Sequence, residues 1–158
     1  MTLYYKTKQF RNYLNIFLLV VYLHLFEHIA QMFQLYLLHW SRPQCLGLLG
    51  LLWPWLIHSE YLHYGHALFM LMGIYYLTKY MYNRASLWWM QLALVLAFYH
   101  HFEHLLLLIQ SINHVYFFNT DMPTSIGQLF IPRIELHFFY NLLVGIPMAI
   151  ALHKNKIN

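Results

Sequence analysis

The chain has 158 residues, of which 61% are hydrophobic, 20% are aromatic and only 9% are charged. Soluble domains carry about 25% charged residues, so this composition excludes an ordinary water-soluble domain and indicates an integral membrane protein. The net charge of +4 is therefore informative about membrane topology, not about nucleic-acid binding. A single cysteine, Cys45, excludes an intrachain disulfide and a cysteine-rich metal site.

Four apolar segments approach or exceed the roughly 20 residues that a helix needs to cross a bilayer. In chain order they cover residues 15–38, 60–80, 87–110 and 134–152. The apolar stretch 46–58 is short and contains Gly and Pro, so we predict an interfacial or re-entrant segment there. The sequence thus predicts an all-α membrane protein, a single domain over 1–158 that forms a bundle of four transmembrane helices.

The basic residues predict the orientation of this bundle. Seven of them fall at the termini and in the middle loop, on one side of a four-span protein: Lys6, Lys8, Arg11, Lys79, Arg84, Lys154 and Lys156. Arg42 and Arg133 fall on the other side. Because Lys and Arg are enriched in cytoplasmic loops, we expect both termini in the cytoplasm of a bacterial-type inner membrane.

The sequence also contains an internal repeat, with copies at about 15–80 and 87–152. Three features recur in the same order with offsets of 76, 80 and 74 residues: His-x-x-Glu-His (24–28 and 100–104), Pro-x-x-[Leu/Ile]-Gly-x-Leu (43–49 and 123–129) and Leu-His (62–63 and 136–137). Self-similarity at a nearly constant offset is typical of a duplicated structural unit. We therefore expect a duplicated two-helix unit.

The repeated His-x-x-Glu-His motif predicts a metal site inside the membrane. Positions i, i+3 and i+4 share a helix face, and imidazole with carboxylate suits iron, copper or zinc. The expected metal ligands are His24, Glu27, His28, His63, His100, Glu103, His104 and His137. The expected hydrogen-bonding partners of these ligands are Glu60, His66, His101, Glu135 and Asn141. Four to six imidazoles in one low-dielectric layer cannot all satisfy one another as neutral rings without acceptors.

Two other interpretations of the polar residues remain open. A haem held by two histidines is less favoured, because a glutamate lies beside the key histidine in both copies and haem ligands are usually set in apolar surroundings. A metal-free polar network or proton relay is the other. The favoured cofactor is one or two non-haem metal ions, iron or copper before zinc.

The chain resembles a group of uncharacterised four-span bacterial membrane proteins. The resemblance depends on the repeated His-x-x-Glu-His helices and on the segment Glu135-Leu-His-Phe-Phe-Tyr-Asn141. The resemblance covers most of the chain. It implies the four-helix fold and the residues of the site, and it implies no activity.

The leading functional hypothesis is a metal-binding subunit in redox or oxygenase-type chemistry, with its site towards the external side. The sequence leaves open whether the protein is an enzyme. With so little mass outside the membrane, any substrate would be small, gaseous or lipid-soluble. Beyond the lipid bilayer, we expect other membrane subunits as partners. The alternatives are a non-catalytic accessory subunit of a larger respiratory, oxygenase or photosynthetic complex, and a haem-binding electron carrier.

Overall fold

The computed structural model of the protein describes residues 8–156, all of whose regular structure is helical. Its α-helices are α1 (Lys8–Tyr36), α2 (Leu49–Leu52), α3 (Pro54–His58), α4 (Glu60–Thr78), α5 (Arg84–Asn113) and α6 (Arg133–Lys156). Two single 3₁₀ turns, Arg42–Gln44 and Gly127–Leu129, lie in the connections. The prediction of an all-α protein is confirmed for the described range.

Three helices are long and apolar enough to cross a membrane: Lys8–Tyr36, Arg84–Asn113 and Arg133–Asn155. The remaining predicted span corresponds to α4, a helix of 19 residues. Its first two turns carry Glu60, His63 and His66. It is not among the three helices above, so the fourth span stays a prediction. The segment predicted to be interfacial or re-entrant contains α2 and α3. Lys6, which contributes to the predicted orientation, lies outside the described residues.

The four long helices form a bundle in which α4 packs on α5, α5 on α6 and α6 on α1. Helix α1 faces α4 across a wider gap, which aromatic rings fill. The ring pairs of this aromatic ladder are Phe10–Tyr80 (centroids 4.4 Å apart), Tyr13–Tyr76 (4.8 Å) and Phe17–Phe69 (5.5 Å). Large aromatic side chains therefore set the spacing between α1 and α4.

The two ends of the bundle differ in chemistry. At the end near the termini, buried apolar side chains such as Phe17, Ile74 and Met90 form a continuous core. The opposite end, which we call the loop end, carries the connections 37–59 and 114–132 and contains most of the buried polar side chains. Buried polar groups need partners, so the loop end is where a functional site is expected.

Candidate functional site

Seven histidine rings meet at the loop end of the bundle. This histidine cluster consists of His24 and His28 from α1, His63 and His66 from α4, His100 and His104 from α5, and His137 from α6. The ring centroids of neighbouring members lie between 3.6 Å (His24–His66) and 6.0 Å (His63–His137) apart. All predicted histidine ligands are in the cluster. His66, which was predicted to support a ligand, is also a member.

Helical spacing brings the rings together. Residues four apart lie on the same helix face, which places the His24 and His28 centroids 4.6 Å apart and the His100 and His104 centroids 4.6 Å apart. His137 lies between the two pairs, 5.6 Å from His28 and 5.0 Å from His104. The cluster therefore joins the two halves of the chain.

Hydrogen bonds to the main chain fix the orientation of two of the rings. Nδ1–H of His63 donates to the carbonyl oxygen of Ser59 (2.8 Å), and Nδ1–H of His137 donates to that of Arg133 (2.7 Å). A neutral imidazole with a proton on Nδ1 has its lone pair on Nε2. This is the tautomer in which protein histidines bind metals through Nε2.

His28 is held in the same tautomer by a side chain. Its Nδ1–H donates to the amide oxygen of Gln31 (2.8 Å), and its Nε2 lies 3.0 Å from Nε2 of His24. Since Gln31 accepts the Nδ1 proton, the His28 Nε2 lone pair accepts the proton of His24. Gln31 is only 5% exposed. The second half has Leu107 at the equivalent position, so this support is specific to the first half.

Several ring nitrogens of the cluster are buried and have no hydrogen-bond partner among the described residues. They are Nε2 of His66, Nδ1 of His100, Nδ1 of His104 and Nε2 of His137. Folded proteins rarely leave buried polar atoms unpaired, and an unseen ion is one standard explanation. The cost of several such atoms in one layer makes an added ligand physically reasonable.

A cavity of about 450 Å³ lies between the histidine cluster and the connections 37–59 and 114–132. His28, His63 and His137 line it, and these are the three rings whose Nδ1 protons are committed to other groups. Arg42 and Arg133 also line the wall. Three histidines and two arginines therefore share the wall of one open cavity.

The predicted ligand Glu27 lies elsewhere. Its Oε1 accepts hydrogen bonds from the backbone N–H groups of Leu49 (2.7 Å) and Gly50 (3.2 Å), at the start of α2. Gly47, at φ +72°, packs so closely on the carboxylate that a methyl group there would overlap it. In the described range, no ion pair within 4.0 Å joins a glutamate to a histidine.

The predicted ligand Glu103 has the corresponding role in the second half. Its carboxylate accepts from the backbone N–H of Gly127, the glycine that the repeat pairs with Gly47. The physical reason is the same for both glutamates: position i+3 is turned by about 60° from the first histidine and about 100° from the second. That rotation aims the carboxylates at the loops, where backbone donors need acceptors. Both predicted glutamate ligands therefore bind loop amides in this structure, and the predicted His/Glu ligand set stays a prediction.

Two glutamines anchor the same loops, and the sequence analysis missed them. The side chain of Gln34 accepts from Gly47 N (2.8 Å) and donates to Gly47 O (3.0 Å). Gln110 likewise accepts from Thr124 N (3.2 Å) and donates to Thr124 O (2.8 Å). Gln34 and Gln110 are separated by the same 76 residues as the two histidine motifs, and this signal could have identified them.

Glu60 and Glu135, predicted to support the ligands, instead form ion pairs between the halves. Glu60 Oε1 lies 2.7 Å from an Arg133 nitrogen, and Glu135 Oε1 lies 2.7 Å from an Arg42 nitrogen. Tyr36 also donates to Glu135, at 2.9 Å. Each pair takes its arginine from one half and its glutamate from the other, which ties the halves together at the cavity.

The remaining predicted supporting residues do not contact the histidine rings of the cluster through hydrogen bonds. Asn141 Nδ2 donates to the main-chain carbonyl of His137 (2.8 Å). His101 packs against Tyr64, with ring centroids 5.1 Å apart. His101 follows His100 directly and is therefore turned by about 100° from it around the helix, which explains why it lies outside the cluster.

The distances between ring centroids in the cluster resemble those of histidines bound to one metal ion, but the side chains do not yet surround a common point. Rings bound to one ion have centroids about 4.5–6.5 Å apart, because metal–nitrogen bonds are about 2.0–2.1 Å long. Most neighbouring pairs fall in that range. In residues 8–156, however, no group of three or more His, Cys, Asp or Glu side chains already stands in position to hold an ion.

No protein-family model matches the chain, and no curated protein or solved structure matches it significantly. The resemblance to four-span bacterial membrane proteins stays a prediction. The site geometry is therefore the basis of the functional argument below.

Proposed function

We propose that the protein is a four-span membrane subunit whose histidine cluster binds a transition-metal ion for redox chemistry. The observation that carries this proposal is the set of buried ring nitrogens without partners, next to rings held in the metal-binding tautomer. A bound ion would satisfy these lone pairs and offset the cost of keeping them away from water.

His28, His63 and His137 are the primary ligands in this proposal. Their Nδ1 atoms donate to Gln31 or to main-chain carbonyls. This leaves Nε2 of His63 and His137 for the ion, and Nε2 of His28 becomes a ligand when the His24 ring whose proton it accepts turns away. His104 is the fourth candidate, since its Nδ1 has no partner. Rotation of a histidine ring about χ2 has a broad, shallow energy profile. Modest ring turns therefore suffice to move from the observed spacing to ligation.

Copper is the favoured ion, with zinc second. Imidazole nitrogens suit copper, zinc, iron and nickel, and divalent affinities peak at copper. The preference for iron that carboxylate ligands would give is lost, because Glu27 and Glu103 bind loop amides. Copper also fits a redox function, whereas zinc has no redox chemistry of its own. When bound with a free position, such an ion activates water or oxygen.

The four-span topology belongs to the same proposal. Helix α4, with 19 residues, is about 28 Å long at 1.5 Å per residue, close to the roughly 30 Å of a bilayer core. With α4 as a span, both termini lie on the cytoplasmic side of a bacterial-type inner membrane, as the basic residues predict. The loop end and its 450 Å³ cavity then face the external side.

The test is metal analysis of the detergent-purified protein together with absorption and electron paramagnetic resonance spectra. Wild type is compared with a His63→Ala/His137→Ala double variant, and with His101→Ala as a matched control outside the cluster. We expect copper at one or two ions per chain in wild type and in His101→Ala, and its loss from the folded double variant. A folded wild type that takes up no metal from copper-containing buffer would overturn the proposal, and a Soret band would replace it with a haem protein.

A further inference from the structure

A second cavity, of about 280 Å³, reaches the histidine cluster from the side of the bundle. It lies between α1 and α4, on the loop-end side of the aromatic ladder. Its polar wall includes His24 and His66, whose rings stack with centroids 3.6 Å apart. It shares His28 and His63 with the cavity that Arg42 and Arg133 line, and its own wall contains no arginine.

The lining of this side cavity is mostly aliphatic. Leu23, Leu49 and Leu62 line it and are 56%, 46% and 43% exposed. Exposed leucines on the outer face of a membrane bundle contact lipid chains. The one acidic residue in the wall, Glu27, is committed to the loop amides. The cavity therefore suits an uncharged, apolar molecule that arrives through the bilayer.

One ring nitrogen in the cavity wall lacks a partner and lies outside the proposed metal ligands. Nε2 of His66 is buried and forms no hydrogen bond with any described residue. Nε2 of His24 is already engaged with His28. Apart from the proposed ligands His28 and His63, the polar requirement of the wall is thus a single hydrogen bond, at the end where the rings lie.

Size restricts the occupant further. Cavities for drug-sized ligands measure about 300–1,000 Å³, so 280 Å³ admits a small molecule and excludes a whole lipid. We propose that this cavity binds a compact lipid-soluble alcohol or phenol, with its hydroxyl group on His66 and its apolar part between α1 and α4. The interpretation of this ligand as the substrate or inhibitor of a metal centre depends on the proposed function, but binding itself does not.

The experiment uses metal-free protein in lipid nanodiscs and a photoreactive probe. The probe is a diazirine-bearing alkylphenol, and its matched control is the same molecule with hydrogen in place of the hydroxyl group. Labelled residues are located by mass spectrometry. We expect saturable labelling of the α1 and α4 segments around Leu23 and Leu62, which the non-photoreactive phenol competes away.

Variants separate the cavity from general lipid contact. Leu62→Trp, or Leu49→Trp from a different helix, fills the cavity and should abolish saturable labelling. Ile16→Trp adds the same side chain at a lipid-facing site on α1, since Ile16 is 61% exposed, and should leave it unchanged. His66→Phe keeps an aromatic ring and removes Nε2, so phenol affinity should fall about three- to tenfold, which corresponds to one hydrogen bond.

Labelling that never saturates, or that is unchanged in both filling variants, would overturn this proposal. Equal affinity of the phenol and its hydroxyl-free analogue would overturn the role of His66. Because the protein is free of metal throughout, failure of the copper proposal does not alter these readouts. Conversely, copper content measured on Leu62→Trp tests the metal site independently of phenol binding.

Discussion

Glu103 accepts hydrogen bonds from the backbone N–H of Gly127 with both carboxylate oxygens, at 3.0 and 3.3 Å. The glutamate is 2% exposed and lies at the same position of its motif as Glu27, which binds the other loop. The acidic residue of His-x-x-Glu-His thus connects each motif-bearing helix to the loop that follows it. The prediction that these glutamates are metal ligands stays a prediction beside this observed role.

Replacement of Glu103 should reduce stability without removing metal. Glu103→Ala leaves the Gly127 amide unpaired in a buried site, and we expect a loss of about 1–3 kcal/mol in the free energy of unfolding. Glu103→Gln keeps an acceptor oxygen and should lose less. Unfolding in detergent, followed by circular dichroism, measures both, and metal analysis accompanies it. Folded Glu103→Gln protein without metal would show that the carboxylate is a ligand after all.

Gln31 should control the affinity of the first-half histidines for metal. Gln31→Leu introduces the residue that the second half has at this position, and it removes the acceptor for His28 Nδ1–H. Loss of such a support typically lowers metal affinity about 10- to 100-fold. Competition with a chelator of known affinity measures the change. Gln31→Glu keeps an acceptor and serves as the control, for which we expect affinity at least equal to that of wild type.

The ion pair between Arg133 and Glu60 should show strong coupling. Arg133→Met leaves the Glu60 carboxylate, 7% exposed, without its cation, and we expect a destabilisation of about 1–3 kcal/mol. Arg133→Met/Glu60→Gln removes the unpaired charge and should recover part of this loss. A double-mutant cycle in detergent gives the coupling energy. Additive effects of the two single changes would contradict a direct interaction.

The Cys45 thiol should react slowly with a maleimide at neutral pH. Its side chain is 2% exposed and its Sγ–H donates to the Ser41 carbonyl at 3.3 Å. Burial raises the pKa of the Cys45 thiol. The reactive thiolate therefore forms only at higher pH than in a free cysteine, whose pKa is about 8.5. The rate of alkylation by a maleimide should therefore continue to rise with pH above about 8.5.

The control for Cys45 is Met122→Cys in a Cys45→Ala background. Met122 is 66% exposed at the loop end, so the new thiol should react much faster at pH 7. Similar rates for the two thiols at that pH would contradict burial of Cys45. In intact cells, labelling of the introduced cysteine by a membrane-impermeant maleimide also tests whether the loop end is external.

The positions of the helices could be predicted from the sequence, because long apolar segments carry a strong signal. Predicted span 15–38 corresponds to α1 (Lys8–Tyr36), which also covers residues 8–14. The convergence of His24 with His28 also follows from helical spacing alone. These features are local, and local features can be read from one sequence.

The partners of Glu27 and of Arg42 could not be predicted in the same way. Glu27 accepts from amides at Leu49 and Gly50, and the direction of those amides depends on how the loop folds back. Arg42 pairs with Glu135, 93 residues away, which depends on the arrangement of all four helices. The observed direction of the two glutamates could not be read from the motif, because spacing along a helix does not determine which loop donors a side chain meets.

The site also has a consequence for synthesis. Because α1 packs mainly on α6, and His137 joins the α1 histidines to the rest of the cluster, α1 is synthesised well before its main packing partner. The hydrogen bonds of His28 to Gln31 and His24 can form within α1 alone, before α6 is made. A chain truncated before α6 would therefore keep these local bonds and lose the contact surface that holds α1 in the bundle.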